Sequence, residues 1–90
     1  MIHPYPHPEH QLKIAVDAVK PLIRGMKCPC HKRVLRLRSV CFYYDETYLY
    51  AEIRVDCCHE FAVQVAEVIA EAKRIDKIYI IERHQKTIFR

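Results

Sequence analysis

The chain has 90 residues, with 15 Lys and Arg against 11 Asp and Glu, and a formal net charge of +4 with its histidines neutral. A hydrophobic share of 51% excludes a disordered tail, and the length fits one domain with a modest core. A single glycine, the lack of tryptophan and the lack of a run of about 18 apolar residues exclude a Gly-rich phosphate loop and a membrane-spanning helix.

In chain order, residues 1–8 alternate proline with rings as His3-Pro4-Tyr5-Pro6-His7-Pro8. Such a segment is extended and solvated, a histidine- and proline-bearing tail ahead of one domain over 9–90. It has no charged start and no apolar run, so it does not read as a secretory signal. The expectation is a cytoplasmic protein with reduced thiols, in keeping with an odd count of 5 cysteines. Met1-Ile2-His3 has the form of an amino-terminal copper or nickel clasp. With His7 and His10 it makes a histidine-bearing segment that reads first as simply polar.

Residues 9–24 are predicted helical. Leu12, Ala15, Val16, Val19, Leu22 and Ile23 recur at three- and four-residue spacing and make one apolar face. Glu9 sits near the start, where the helix dipole favours an anion. Pro21 is expected to kink the helix or end it near Lys20, and Gly25 is the candidate C-cap.

Residues 33–44 and 47–56 read as two strands joined by the polar link Asp45-Glu46, an antiparallel hairpin. In the second strand Leu49, Ala51, Ile53 and Val55 face one way, and Tyr48, Tyr50, Glu52 and Arg54 the other. In the first, Leu35, Leu37, Cys41 and Tyr43 are assigned to one side, and Arg36, Arg38, Phe42 and Tyr44 to the other. Cys41 is thereby read as a small buried hydrophobe.

Residues 59–75 are a second predicted helix, with Phe61, Val65, Val68, Ile69, Ala72 and Ile75 as its buried stripe. Residues 77–82 form a short β-branched strand, able to lie parallel to the second because the helix carries the chain back. The last residues extend it, turn back or fray. The expected architecture is α+β in the order α-β-β-α-β: a small, mostly antiparallel sheet with two helices packed on one face.

Two Cys/His clusters fall on this map. Cys28-Pro29-Cys30-His31 lies between the first helix and the first strand. Cys57-Cys58-His59 lies between the second strand and the second helix. A hairpin sets the start of its first strand beside the end of its second, so the clusters should meet. Zinc takes four tetrahedral ligands, commonly thiolates with or without imidazole. The candidate metal ligands are Cys28, Cys30, His31, Cys57, Cys58 and His59. The preferred set is Cys28, His31, Cys57 and Cys58, because Pro29 stiffens a tight turn between the first two. Cys30 and His59 remain open as substitutes.

A Cys-Pro-x-His cluster after a helix, a hairpin, and Cys-Cys-x-x-Phe opening a helix resembles a set of small bacterial proteins of uncharacterised function. The matching residues are Cys28, Pro29, His31, Cys57, Cys58 and Phe61, within residues 10–75. The resemblance implies a zinc-ribbon-like site and no known activity.

The start of the second helix also favours a thiolate at Cys57 and Cys58, which would serve a redox or metal-handling thiol equally well. Catalysis is not expected: Cys58 and His59 are helix neighbours that diverge, and no acid is evidently placed to orient the histidine. The other hairpin face shows Arg36, Arg38, Tyr48, Tyr50 and Arg54. It reads first as plain surface or a face for a second copy of the chain, and alternatively as a nucleic-acid-binding face that stacks single-stranded bases. The function expected is a zinc-binding domain with a structural metal and a binding or interaction role.

Overall fold

Ala15, Val19 and Ile23 recur every fourth residue and are buried along one stripe of the first helix, α1 (Pro8–Ile23). The structure is a computed structural model, and it describes residues 8–45 and 48–90. The histidine clasp at His3 and His7, and part of the hairpin link at Glu46, lie outside the described residues. Pro8 opens α1, where a missing N–H costs nothing. Of the two outcomes expected at Pro21, a kink or an end near Lys20, the structure excludes the end. Pro21 sits in the last turn, and the ladder resumes with Arg24 N–H donating to the Lys20 carbonyl at 2.9 Å. Leu22, assigned to the buried face, is 50% exposed. Gly25 takes φ +83° and turns the chain out of the helix.

The strand predicted over 33–44 is shorter. Strand β1 is Val40–Asp45, and a 3₁₀ turn, Leu37–Ser39, precedes it. β2 is Tyr48–Arg54, followed by α2 (His59–Glu71), β3 (Lys77–Glu82) and β4 (Gln85–Ile88). The sheet order is β1-β2-β3-β4. β1 runs antiparallel to β2, β2 parallel to β3, and β3 antiparallel to β4.

The chain is therefore α+β, with a correction to the expected architecture. The sheet is four-stranded and mixed, not mostly antiparallel. The C-terminal residues turn back through Arg83 and His84, both at positive φ, to add β4. A two-residue hairpin loop of this hand matches the twist of its strands. Nor do the two helices share the sheet as expected. α1 packs on β1 and α2, while α2 covers β2 and β3.

The inner side of the sheet carries Val40, Ala51, Ile53, Ile78 and Ile80, which join Val19, Ile23, Phe61, Val65 and Ile69 in one core. The alternation read for β2 holds. That for β1 is inverted: Phe42, opposite Ala51, packs against the core, and Cys41, opposite Glu52, is exposed. The 3₁₀ turn shifts the pleat, and a one-residue shift exchanges the faces of a strand. Among the described residues no helix is long and apolar enough to cross a membrane.

Candidate metal centre

After Gly25 the chain folds back on itself as a tight knuckle. Lys27 and Val34 form an antiparallel bridge, and Leu35 N–H donates to the Met26 carbonyl at 2.8 Å. Inside this frame Cys28 N–H donates to the Arg33 carbonyl at 2.9 Å, and Lys32 N–H returns to the Cys28 carbonyl at 2.7 Å. Lys32 closes the reversal at φ 56°. The knuckle carries Cys28 and His31 toward the start of α2. Cys57 and Cys58 lie past the end of β2, outside the ladder, so the alternation of a strand does not force their sulfurs apart. Cys58 is the extended N-cap residue of α2, with no side-chain cap bond.

One ligand atom each from Cys28, His31, Cys57 and Cys58 lie within 4.8 Å of one another. The Cys28 sulfur is 3.4 Å from that of Cys58 and 3.5 Å from Nδ1 of His31. A zinc ion with Zn–S bonds of about 2.3 Å sets its tetrahedral sulfurs about 3.8 Å apart. Donors gathered this closely could hold one metal ion. Cys28 is fully buried, while Cys57 and Cys58 are half-buried.

Electrostatics distinguish the thiols. Burial pushes the Cys28 thiol up, but hydrogen bonds from the His31 ring, the His31 and Cys30 amides, and Cys58 outweigh it and bring its pKa to about 6. Burial, and then Cys28 itself, push Cys57 up to about 11, with Arg33 acting in the opposite sense. Thiols that ionise together repel one another, and a bound cation relieves that repulsion.

The other two candidate ligands turn elsewhere. The exposed Cys30 thiol points to Glu60, with its sulfur 3.9 Å from Oε2. His59 Nδ1 is 3.1 Å from Glu82 Oε2, an exposed pair tying the start of α2 to the end of β3. His10 is exposed on α1.

Of the residues assigned to a nucleic-acid face, Tyr48, Tyr50 and Arg54 lie on the outer side of β2. Arg36 and Arg38 lie before β1, in the knuckle loop and the 3₁₀ turn, and Arg36 Nε is 3.6 Å from Asp56. Sequence reading missed what fills the outer face. Tyr50 contacts the rings of Tyr43, Tyr48 and Tyr79 at 5.3, 6.3 and 5.9 Å. Lys86, from the unforeseen β4, lies over Tyr79 at 4.5 Å and pairs with Glu52 at 2.6 Å. Lys77 lies over Tyr48 at 5.3 Å.

No family model, curated protein or solved structure matches the chain. What the structure supplies is a group of three thiols and one imidazole, drawn from two segments and close enough to hold one metal ion.

Proposed function

We propose that Cys28, His31, Cys57 and Cys58 bind one zinc ion, and that the ion serves as a structural tie. The observation that carries this is the convergence of four donors within 4.8 Å. Three soft thiolates and an imidazole suit zinc and do not suit magnesium or calcium, which take oxygen ligands. Four protein donors fill a tetrahedron and leave no open position for substrate, which favours a structural over a catalytic ion. The tie would join the knuckle to α2, two segments that no strand pairing connects. A domain this small gains much from such a staple.

This reading is consistent with the motif resemblance at Cys28, Pro29, His31, Cys57, Cys58 and Phe61 to small bacterial zinc-ribbon-like proteins. It also requires a compartment that keeps thiols reduced, as a cytoplasm does, and all five cysteines are free. A reactive-thiol role is disfavoured because Cys28, the thiol with the lowered pKa, is fully buried. A base-stacking role for the sheet face is disfavoured because its tyrosines already pack on one another and under lysines. The biochemical role is therefore binding or interaction on a zinc-stapled scaffold. Native mass spectrometry of untagged protein tests it. The expected mass is that of the chain plus one zinc, and metal-free protein after purification with zinc present overturns the proposal.

A further inference from the structure

β4 (Gln85–Ile88) is the last strand in the sheet order, and among the described residues nothing pairs with its outer edge. All of its residues are exposed, Ile88 by 58%. The two-residue loop Arg83-His84 makes Glu82 and Gln85 a pair that exchanges both backbone hydrogen bonds, and Ile80 and Thr87 the next such pair. Phe89 N–H keeps this alternation by donating to the Ile78 carbonyl at 2.8 Å. The N–H and C=O groups of Lys86 and Ile88 therefore point out of the sheet. Exposed edges are commonly blunted by a proline, a bulge or an outstretched lysine. β4 has no proline, and its register with β3 is unbroken. Its one lysine turns back across the outer face, over Tyr79 at 4.5 Å and onto Glu52 at 2.6 Å. The opposite edge differs: α1 packs on β1, and the 3₁₀ turn Leu37–Ser39 cuts that strand short.

We propose that β4 pairs antiparallel with β4 of a second copy of the chain, about a two-fold axis at Thr87. An axis normal to the sheet keeps the inner and outer faces continuous, so residues opposite each other must share a face. Registers centred on Lys86 and on Thr87 meet that condition with the greatest overlap. The first opposes Lys86 to Lys86, a like-charge pair, and sets Ile88 against the turn residue His84, whose positive φ takes it out of the strand. The second opposes Thr87 to Thr87, a favourable cross-strand pair, and sets Lys86 opposite Ile88 on both sides of the axis. The outward-pointing backbone groups of both copies are then all bonded, and Ile88 lies beside the apolar stem of a lysine. On the inner side, Gln85 and Thr87 line an open groove of about 410 Å³ with Ile80 and His59. The half-buried Phe89 of the second copy comes opposite Gln85, at the mouth of that groove. The contact is short, so the dimer is a transient one. It uses none of the four proposed metal ligands.

The test is sedimentation velocity of the full chain from about 10 μM to about 1 mM, the span of a weak association. A reversible monomer–dimer equilibrium is expected. Ile88→Lys sets a second lysine against Lys86 and should weaken the association at least about fivefold. Gln64→Lys, the same charge gain at an exposed position of α2, should change it less than about twofold. Cross-linking checks the register. Thr87→Cys, oxidised with glutathione disulfide, should join two chains through position 87, because β-carbons facing each other in a pair without hydrogen bonds lie close enough for a disulfide. Gln85→Cys, on the same side of β4 but opposite Phe89, should not join to its own copy. Peptide mass spectrometry separates these links from any through the native cysteines. A chain that stays monomeric at every concentration, an Ile88→Lys variant that associates like the parent, or links through position 85 as abundant as those through 87 overturns the proposal.

Discussion

The sulfur of Cys28 lies 3.4 Å from the sulfur of Cys58, 30 residues further along the chain. Nothing in the sheet ladder enforces this approach, because β1 meets β2 only from Val40 opposite Ile53. The knuckle at residues 27–34 delivers one thiol and the uncapped start of α2 delivers the other. Two elements with no direct pairing thus share one polar corner, and on the proposed reading a metal ion joins them.

If four residues hold the ion, substitutions divide the cysteines sharply. Cys28→Ser and Cys58→Ser should weaken zinc affinity by more than about 100-fold, beyond the roughly 10–100-fold loss typical of an outer-shell partner. Cys30→Ser and His59→Ala should retain one zinc per chain, since these side chains engage Glu60 and Glu82. Cys41→Ser, exposed on the outer sheet face, should match the parent. Metal analysis of the purified variants is the check. Loss of zinc in His59→Ala would show that the ligand set is wrong.

Gly25 controls how the chain enters the knuckle. Its φ of +83° suits glycine, although a Cβ there would meet nothing within 4 Å. The cost of a side chain is therefore conformational and not steric. Gly25→Ala should destabilise the fold by about 1–2 kcal/mol, the penalty for a left-handed L-residue, and Gly25→Asn by less. Thermal or urea unfolding measures both, and equal stability of Ala and Gly here would contradict the reading of this turn.

The legible parts of this sequence were those with an unbroken period. Leu49, Ala51, Ile53 and Val55 alternate without interruption, and the structure keeps their side of β2. Ala15, Val19 and Ile23 behave likewise in α1. The faces of β1 are not legible because Leu37–Ser39 inserts a 3₁₀ turn whose residues look strand-like, and everything after it changes face, Cys41 included. The sequence leaves β4 open because Arg83-His84 lacks the Asn-Gly or Gly signal of a two-residue turn, yet both residues adopt positive φ. The four converging donors were among the six candidates, and residue type with a tight Cys28–His31 spacing sufficed to prefer them. The route that brings them together was not legible. It is a local knuckle held by backbone hydrogen bonds, not the extended hairpin that was expected.

The outer sheet face offers a pH test. Burial pushes the Glu52 carboxyl up, but hydrogen bonds from Lys86 and Tyr43 outweigh it and hold it below its ordinary value. The bond to Glu52, and then one that Lys86 donates to the Tyr43 hydroxyl, hold the Lys86 ammonium above its ordinary value. The Glu52 contribution to stability is present above its unfolded pKa of about 4.3 and is lost as pH falls through its lower folded value. The Lys86 contribution is present below about 10.4 and is lost as pH rises through its higher folded value. Glu52→Gln should therefore cost up to about 1 kcal/mol at pH 7, the range for a partly exposed pair. That difference should vanish in acid, well below the unfolded carboxylate value. Urea midpoints of parent and variant across pH measure it, and a gap that persists in acid contradicts the pairing.

The core should respond as a single unit. Ile69 of α2 and Ile78 of β3 are both fully buried in the same cluster. Ile69→Ala and Ile78→Ala should each cost about 2–5 kcal/mol by leaving cavities. For a chain of this size that is a large share of a total stability of about 5–15 kcal/mol. Chemical denaturation of zinc-loaded protein is the check, and a loss below about 1 kcal/mol would mean that these side chains are not packed as described.

Cobalt(II) substitution followed by visible and near-ultraviolet absorption tests the metal centre most directly. One equivalent of cobalt should give the intense ligand-field bands of a tetrahedral ion, with charge-transfer absorption scaled to three thiolates, and one equivalent of zinc should abolish both. Weak bands of octahedral cobalt, or no saturation at one equivalent, would mean that Cys28, His31, Cys57 and Cys58 do not share an ion.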